Sequence, residues 1–571
     1  MRILFLTRSF NGLAQRLHVE LVALGHEVSV ELDIADPVTA EAVALFKPDL
    51  VIAPFLKRAI PEAVWRATPC LIVHPGIVGD RGPSALDWAI LEGEREWGVT
   101  VLRANAELDG GPVWASETFA MREASKSSLY RREVTEAAVR AVTGAVQRFA
   151  VGGTRTEAID TSAARGRWRP LLGEQARAID WQNDDTRTVL RKIRCADGAP
   201  GILDRLFDVP CRLFDAHGEP QAEPAEPGRV IARRDGAVLR ATRDGAVWIG
   251  HVRREDGADA LKLPTALAFA SEVEALPDRS LDAFVPADHA TWREIRYEAA
   301  DGVGYLRFDF HNGAMSTAQG ERLAAALRAA TERPERVLVL LGGADFWSNG
   351  LHLNVIEAAE SPADESWRNI AAIDDVTLAI IEATDRLVVA ALQGNAGAGG
   401  AFLALAADRV WARHGVILNP HYKNMGNLHG SEYWTYLLPR RLRSGSIDAV
   451  MGHRLPMSAR DAAELGLVDA VFGDGQDDFL TAVRTRAAAL AAAPDLPALL
   501  LAKQRERRRD EAVKPLRAYR EEELAAMRRN FYGFDPSYHV ARSNFVRRVA
   551  PSRTPLHLAT HRRGGRTPAA A

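Results

Sequence analysis

The stretch that most constrains this chain is residues 393–434, where an apolar segment runs into a cluster of glycines. The preceding residues 387–392 (LVVAAL) are apolar throughout, which predicts a buried strand. Gly397, Gly399 and Gly400 then precede an apolar, helix-like run. Glycine lets a backbone approach a ligand closely, and a helix start offers unpaired N–H groups. The pattern predicts either a ligand-binding strand–loop–helix unit or an ordinary packed turn.

The same stretch continues into a loop that is dense in side chains able to do chemistry. A second short strand, VILNP, leads into that loop. The reactive side chains are His421, Tyr422, Lys423, Asn424, His429, Glu432 and Tyr433. Taken alone, the loop fits both a reaction centre and a polar surface loop.

Length and composition bound the class of protein. A chain of 571 residues exceeds one hydrophobic core, so two to four domains are expected. A net charge of −3 argues against a broad nucleic-acid surface. The three cysteines have neither metal-ligand nor redox spacing, so no metal site is predicted and a reducing compartment is indicated. Neither a signal region nor an apolar run of membrane length is found, which predicts a cytoplasmic protein without a membrane partner.

The first 155 residues predict an open parallel α/β sheet. A strand, a helix and a second strand open the chain, which is typical of parallel sheets. His74 directly follows a later strand, and Asp109 lies in a Gly-Gly turn between two strands. A histidine and an aspartate so placed form a candidate acid–base pair. Each residue alone also fits a structural role.

The segments IVHPGIVGDRGPSALDWAI and GVTVLRANAELDGGPVWA resemble the formyltetrahydrofolate-dependent formyltransferase and hydrolase family. The resemblance implies that His74 and Asp109 surround a formyl group carried on N10 of folate. The family's asparagine position is Ile72, as in the folate-hydrolysing branch, so one oxyanion donor is missing. Other polar side chains must then serve the folate site. The candidates are Gln15, Asn11 and Arg81, with Arg131 for an anionic tail or, alternatively, as an exposed helix arginine.

Residues 154–167 are polar and rich in glycine and arginine, which predicts a linker. Residues 170–275 contain an amphipathic helix and short strands with closely spaced D-G and H-G turns, which predicts a small antiparallel barrel. That segment resembles the C-terminal barrel of methionyl-tRNA formyltransferases. Because its charge is mixed, we interpret it as a spacer or docking element, with RNA binding as the alternative.

Residues 292–550 resemble the crotonase (enoyl-CoA hydratase/isomerase) superfamily, with a helical C-terminus. The segments WSNGLHL and GNAGAGGAFLALAAD carry the resemblance. It implies that the N–H groups of Leu351 and Gly399 form an oxyanion hole for a CoA thioester. Phe402 replaces one catalytic glutamate of the hydratases and His352 replaces the aspartate of the first motif, so hydratase chemistry is not expected. The predicted CoA-binding residues are Ser348, Gly350, Gly397 and Arg542.

The whole chain resembles the HypX (HoxX) family of hydrogenase maturation factors, through the blocks HPGIVGDRGPSALDWAI and NPHYKNMGNLHGSEYW. The resemblance implies a cytosolic enzyme that makes carbon monoxide from N10-formyl-tetrahydrofolate, with coenzyme A carrying the formyl group. On this hypothesis Tyr422 and Glu432 take the formyl proton and return one to the sulfur, while His421 and Lys423 rank below them. Small-molecule substrates and hydrogenase maturation proteins are the expected partners.

Two alternatives stay open at this point. One is a bifunctional formyltransferase and acyl-CoA hydrolase or isomerase, and the other is a non-catalytic assembly scaffold that binds folate and CoA. The basic run at 503–520 fits a solvated helix face, although it could also contact CoA phosphates. Residues 551–571, rich in proline, glycine, arginine and alanine, are predicted to be disordered.

Overall fold

The computed structural model describes residues 1–152, 164–257, 260–286, 291–443 and 445–563. Most of the predicted linker at 154–167 lies outside the described residues. The last residues of this predicted linker are bonded to the N-terminal domain. The Gly166 N–H donates to the Val78 carbonyl, and the Arg81 N–H donates to the Arg167 carbonyl.

The N-terminal domain is a six-stranded sheet with helices on both faces, in the order β2-β1-β3-β4-β5-β6. The first four strands are parallel and β5 and β6 are antiparallel, so the predicted parallel sheet gains an antiparallel edge. Strands covered on both faces have to be apolar nearly throughout, as β1 is. The strands are β1 Arg2–Thr7, β2 Glu27–Leu32, β3 Leu50–Phe55, β4 Cys70–His74, β5 Glu96–Arg103 and β6 Val113–Ala120. The helices are α1 Gly12–Ala23, α2 Asp36–Phe46, α3 Glu62–Ala67, α4 Ala85–Glu92, α5 Lys126–Leu129 and α6 Thr135–Gly152, with a π-helical turn at Tyr130–Val134.

The second domain is an antiparallel sheet with the strand order β7-β8-β11-β10-β9, and β12 pairs with part of β11. Helix α8 has one strongly apolar face, and Val189 and Ile193 on that face are fully buried. The elements are α7 Glu174–Arg177, α8 Thr186–Ala196, β7 Ile202–Leu206, β8 Val209–Glu219, β9 Val230–Arg234, β10 Ala237–Ala241, β11 Ala246–Arg254, β12 Lys262–Pro264, α9 Thr265–Ala268 and α10 Ala270–Val273.

The third domain is built on a six-stranded sheet in the order β13-β14-β16-β19-β21-β24, with a four-stranded sheet β17-β20-β22-β23 and the pair β15-β18 beside it. The strands are β13 Ile295–Ala300, β14 Val303–Phe308, β15 Ala314–Met315, β16 Val337–Leu341, β17 Phe346–Ser348, β18 Gly350–Leu351, β19 Leu387–Leu392, β20 Asn395–Gly397, β21 Arg409–Arg413, β22 Ile417–Asn419, β23 Met457–Ser458 and β24 Ala470–Phe472. The predicted strand at 387–392 is therefore confirmed as β19, and it is fully buried.

Helices cover this third domain and form its C-terminal part. They are α11 Thr317–Ala330, α12 Leu353–Ala358, α13 Pro362–Glu382, α14 Gly399–Leu405, α15 Trp434–Arg441, α16 Ile447–Gly452, α17 Ala459–Leu465, α18 Gln476–Ala491, α19 Leu496–Val513, α20 Leu516–Tyr532 and α21 Ser537–Val546. Among the described residues, no helix combines the length and the apolar character needed to cross a bilayer.

The predicted disorder of 551–571 is wrong for its first part. Residues 554–562 pack along β2 of the N-terminal domain and end in a 3-10 turn, Thr560–Arg562. The Val30 N–H donates to the Leu558 carbonyl at 3.0 Å, and the buried Glu31 carboxylate pairs with His561 at 3.0 Å. A buried carboxylate needs such partners, which fixes this segment in place. Residues 564–571 lie outside the described range.

The N-terminal and third domains also meet through polar side chains. Ser128 Oγ donates to Asp345 at 2.8 Å, and the Arg131 guanidinium lies 3.3 Å from the same carboxylate. Asn419 Nδ2, at the end of β22, donates to Gln15 Oε1 at 3.2 Å. The last of these contacts places the first turn of α1 against the end of β22, where Asn419 pairs with Gly397 of β20.

Candidate active site

His74, at the end of β4, lies between two carboxylates. Its Nε2 is 2.9 Å from Asp80 Oδ2 and its Nδ1 is 3.6 Å from Asp109 Oδ2. The structure therefore brings together the predicted pair of His74 and Asp109. Gly76 makes room for the arrangement, since a Cβ there would lie 2.4 Å from His74 Nε2. A histidine held from both sides has a fixed ring orientation, as acid–base chemistry requires.

Asp80 is the member of this site that the sequence interpretation missed. It is completely buried, and its other oxygen accepts from the Arg169 guanidinium, which also donates to Glu92 at 2.9 Å. A buried carboxylate with one histidine and one arginine partner is electrostatically balanced. The signal was present, because Asp80 lies in the same Gly/Pro loop as His74. Arg169, in a polar stretch far along the chain, gave none.

The other predicted folate residues occupy different surroundings. Asn11 caps α1 by accepting from the Ala14 N–H at 3.0 Å, so its oxygen is already engaged. Arg81 pairs with Glu107, two residues before Asp109, and thus lies at the rim of the His74 site. Gln15 and Arg131 line the central cavity described next.

A cavity of about 1100 Å³ connects the three domains. Gln15 and Arg131 of the N-terminal domain, Lys262 of the second domain and Glu432 of the third all line it. Its volume is slightly above the usual range for small-molecule sites, roughly 300–1000 Å³. Among the described residues that line the cavity, one is acidic, Glu432. Five of these lining residues are cationic: Arg131, Arg253, Lys262, Arg547 and Arg548. The cavity therefore suits an extended anionic ligand.

Tyr422 and Glu432 form a buried acid pair in the wall of this cavity. The Tyr422 hydroxyl donates to Glu432 Oε2 at 2.6 Å, and the ring of Tyr422 stacks on Phe402 with centroids 5.4 Å apart. Gly430 makes space for the ring, since a Cβ there would lie 2.0 Å from it. Phe402, the predicted replacement of a hydratase glutamate, thus packs on the ring of the tyrosine whose hydroxyl bonds Glu432.

The turn that presents Glu432 is held in an unfavourable backbone conformation. Glu432 and Tyr433 both have a positive φ, 61° and 57°, which is uncommon for side-chain-bearing residues. Two buried carboxylates stabilise the turn. The Glu432 N–H donates to Asp374 at 2.8 Å and the Tyr433 N–H donates to Glu523 at 2.9 Å. Such strain persists only where the surroundings over-determine it, as they do here.

Burial and the neighbouring carboxylates raise the pKa values of the acidic groups in this site. Burial, with the nearby charge of Asp374, raises the pKa of Glu432 to about 8. Burial also raises the pKa of Asp374 to about 6 and that of Glu523 to about 7. Burial and the charge of Glu432 raise the pKa of Tyr422 well above its ordinary value. Glu432 can therefore accept and return a proton near neutral pH, as an acid–base catalyst must.

The predicted oxyanion-hole residues lie beside this pair. Leu351 and Gly399 both line the cavity, and a Cβ on Gly350 would lie 3.5 Å from the Gly399 nitrogen. A Cβ on Gly399 would lie 1.9 Å from Glu432 Oε1. Glycine is therefore required at this position for the carboxyl to reach the start of α14. Gly397 also lines the cavity.

Three of the four predicted CoA-binding residues, Ser348, Gly350 and Arg542, do not line the cavity. Ser348 is buried away from the cavity lining and accepts from the Gly350 N–H at 3.1 Å. Arg542 is buried in an ion pair with Glu357 at 2.8 Å, while Arg547 and Arg548 reach the cavity. The basic run at 503–520 also forms ion pairs, Lys503 with Asp408 and Arg520 with Asp375. The sequence shows that these residues are polar or charged, but it did not predict which way their side chains point.

Asp374 and Glu523 were missed altogether. They lie on α13 and α20, far from Glu432 in sequence and without a local motif. A polar residue among the apolar buried positions of α13 is the weak signal that could have suggested Asp374, whereas Glu523 lies in a charged stretch of α20 that gave none. His421, ranked below Tyr422, lies in the cavity wall, and neither of its ring nitrogens has a partner among the described residues.

Three families match successive parts of the chain. The formyl transferase family matches residues 26–146, and the formyl transferase C-terminal domain matches residues 172–262. The enoyl-CoA hydratase/isomerase family matches residues 298–532. These ranges correspond to the three domains in chain order.

Similarity to individual proteins extends over the full length. The hydrogenase maturation factor HoxX of Bradyrhizobium diazoefficiens is 57% identical over 98% of this chain and 97% of its own. The crystal structure of HypX from Aquifex aeolicus in complex with tetrahydrofolic acid superimposes with a TM-score of 0.95, at 49% identity and 99% coverage of both chains. A methionyl-tRNA formyltransferase of Trichlorobacter lovleyi is 25% identical over 45% of this chain and 82% of its own. With this similarity over the whole length, and with both domain types in the same order, the chain belongs to the HypX (HoxX) family of hydrogenase maturation factors.

Proposed function

We propose that this protein transfers the formyl group of N10-formyl-tetrahydrofolate to coenzyme A and then releases carbon monoxide from formyl-CoA. The CO would supply the Fe(CO)(CN)2 centre of [NiFe]-hydrogenase. One observation carries the proposal: the buried Tyr422–Glu432 pair lies in the wall of a cavity that residues of the formyltransferase-like domain also line.

The folate half of the proposal rests on the His74 site. The Aquifex aeolicus relative was solved with tetrahydrofolic acid, which supports a folate ligand here. His74, oriented by Asp80 and Asp109, would take the proton of the CoA thiol and deliver one to N10 as the formyl group leaves. With Ile72 in place of an amide, the oxyanion would need other donors, for which Arg81 at the rim is a candidate. Asn11 is a weaker candidate, because its side chain also hydrogen-bonds the buried Tyr130 side chain.

The CoA half rests on the cavity. Its cationic side chains suit the phosphates of CoA, since guanidinium groups bind phosphate in a bidentate manner. Arg131 and Arg548 replace Arg542 as the proposed phosphate ligands, and Gln15, in the first turn of α1, accepts from Asn419 at the cavity wall. A thiol anchored in this way could reach both halves of the protein through the interior.

The release of CO needs one proton to move and one bond to break. The thioester oxygen would bind between Leu351 and Gly399, which places the formyl hydrogen toward the adjoining Glu432 carboxyl. Glu432 takes that proton, the C–S bond breaks, and CO leaves. The sulfur then recovers a proton from the Tyr422–Glu432 pair, so the reaction is balanced without an oxidant or reductant.

The test is to incubate the purified protein with N10-formyl-tetrahydrofolate, with and without CoA, and to trap CO on a reduced haem protein. The proposal expects CO and tetrahydrofolate in equal amounts, formed only when CoA is present. Acyl-CoA hydrolysis or isomerisation without CO would favour the bifunctional alternative. Tight folate and CoA binding without turnover would favour an assembly scaffold.

A further inference from the structure

Lys262, at the start of β12, has a neighbourhood that the proposed reaction does not use. Its amine lies 3.0 Å from His311 Nε2, and His311 Nδ1 lies 3.4 Å from Asp215 Oδ1. Lysine and aspartate come from the second domain and histidine from the third, so the arrangement exists only when the domains pack together. Lys262 and His311 both line the central cavity.

The three groups have the order of a nucleophile, a base and an orienting carboxylate. Asp215 is itself fixed by His251 at 2.8 Å and His217 at 2.9 Å. With Asp215 accepting from Nδ1–H, the Nε2 atom of His311 is left as the acceptor that faces the amine. Asp215, His251 and His311 also lie at metal-ligand distances. However, the two imidazole rings stack with centroids 4.2 Å apart and an interplanar angle of 30°, so their nitrogens do not converge on one point.

The surroundings raise the share of neutral amine, the nucleophilic form, above that of an exposed lysine. Burial lowers the pKa of Lys262, and Arg548 and Arg131 act in the same direction, against Asp197 and Asp215. A lysine that is desolvated beside other cations is the usual form of an activated amine.

We propose that Lys262 is an acyl-acceptor site, at which a CoA thioester bound in the cavity transfers its acyl group to the lysine amine. This inference rests on the proposed function, since formyl-CoA would be the natural donor. The amine attacks the thioester carbon, a C–N bond forms and the C–S bond breaks. The amine proton passes to His311 and from there to the departing thiolate, so the products are an N-acyl-lysine and free CoA. The change removes a cation from the cavity wall and weakens its attraction for CoA phosphates.

The test uses the full chain and two donors in separate incubations: N10-formyl-tetrahydrofolate with CoA, and acetyl-CoA alone. Mass spectrometry of the digested protein then measures acyl occupancy at each lysine. We expect formyl and acetyl groups, respectively, at Lys262. Lys423 is the internal control, because it is exposed and neighbours Tyr422 yet makes no hydrogen bond to a histidine in the described structure.

The His311→Gln variant tests whether His311 acts as a general base or only supports the local structure. It should acylate Lys262 about a hundredfold more slowly, as loss of a general base implies. His311→Asn gives a second variant, and a thermal unfolding curve establishes that each one is folded. Equal labelling of Lys423 and Lys262, or an unchanged rate in both folded variants, would overturn the inference.

The two donors keep this inference distinct from the proposed function. Release of CO with neither donor labelling Lys262 would overturn the inference and leave the proposed function intact. Acetylation of Lys262 by acetyl-CoA without any CO release would support the acceptor site and count against the proposed function.

Discussion

The two candidate reaction sites handle buried carboxylates in opposite ways. Around His74, the buried Asp80 has a histidine and an arginine as partners. Around Glu432, three buried acids lie together: Glu432, Asp374 and Glu523. The guanidinium of Arg520 lies 3.7 Å from Asp374. In the first site, the buried Asp80 carboxylate is neutralised by a cationic partner. In the second site, backbone N–H groups and a hydroxyl donate to the buried carboxyl groups, and raised pKa values keep protons on them. A site that keeps carboxyl groups protonated can move protons, and a balanced site can hold a ring in one orientation.

The largest effect is expected when the groups that hold the retained proton of the second site are replaced. Glu432→Gln and Tyr422→Phe should each lower the rate of CO release by about 10²–10⁴-fold, the usual share of acid–base catalysis. Trapping of CO on a reduced haem protein measures the rate. Tyr436→Phe is the matched control, because its hydroxyl bonds Asp510 outside the cavity. A variant of either residue that kept the full rate would remove the acid pair from the chemistry.

The reciprocal change tests whether the two sites act separately. His74→Gln should lower consumption of N10-formyl-tetrahydrofolate by about 10²–10⁴-fold, since the ring is the acid–base group of that site. Release of CO from formyl-CoA supplied directly should remain as in the unmodified protein. Loss of both activities would show that the sites do not divide the reaction as proposed.

The charge balance of the first site predicts its contribution to stability. Asp80→Asn leaves the Arg169 guanidinium without its buried anionic partner and should lower the free energy of unfolding by about 3–5 kcal/mol. Urea denaturation measures it. Arg165→Ala is the control, because it breaks an exposed pair with Glu96, for which less than about 1 kcal/mol is expected. Equal effects of the two changes would contradict the balanced-site interpretation.

The second site predicts an effect on stability that depends on pH. The pKa of Glu432 rises from an ordinary 4.5 to about 8, so the folded protein binds more protons than the unfolded chain between these values. Stability from this group is complete below its unfolded pKa and is lost as pH rises through the folded pKa. Glu432→Gln should therefore flatten the fall in stability between about pH 5 and about pH 8, measured by denaturation at each pH. Glu522→Gln, an exposed acid on α20, should leave the slope as it was.

Local patterns predicted much of this molecule. The glycine cluster, the strand before it and the positions of His74, Asp109, Tyr422 and Glu432 follow from residue type and spacing along short segments. The order of the three domains could also be predicted, because each domain has its own pattern of apolar residues and turns. The loss of hydratase chemistry expected from Phe402 stays a prediction, and the structure adds that the Phe402 ring packs on Tyr422.

Long-range partners could not be predicted in the same way. Asp80 became important through Arg169, and Glu432 through Asp374 and Glu523, each supplied by a distant segment. Arg542 and Ser348 were misplaced because a charged or polar residue in a motif does not reveal which way its side chain points. The order of residues 554–562 likewise depends on Glu31, a buried acid on the opposite domain.

The sequence by itself determined the elements: buried strands, glycine-rich turns, and the histidine, tyrosine and carboxyl groups that they carry. The tertiary structure alone decided the environment of those groups. Burial and the neighbours brought by helices α13 and α20 set the protonation of Glu432, and the packing of three domains formed the cavity. The reason is physical: propensity and apolar periodicity act over a few residues, whereas desolvation and electrostatics depend on everything that folds within a few ångströms.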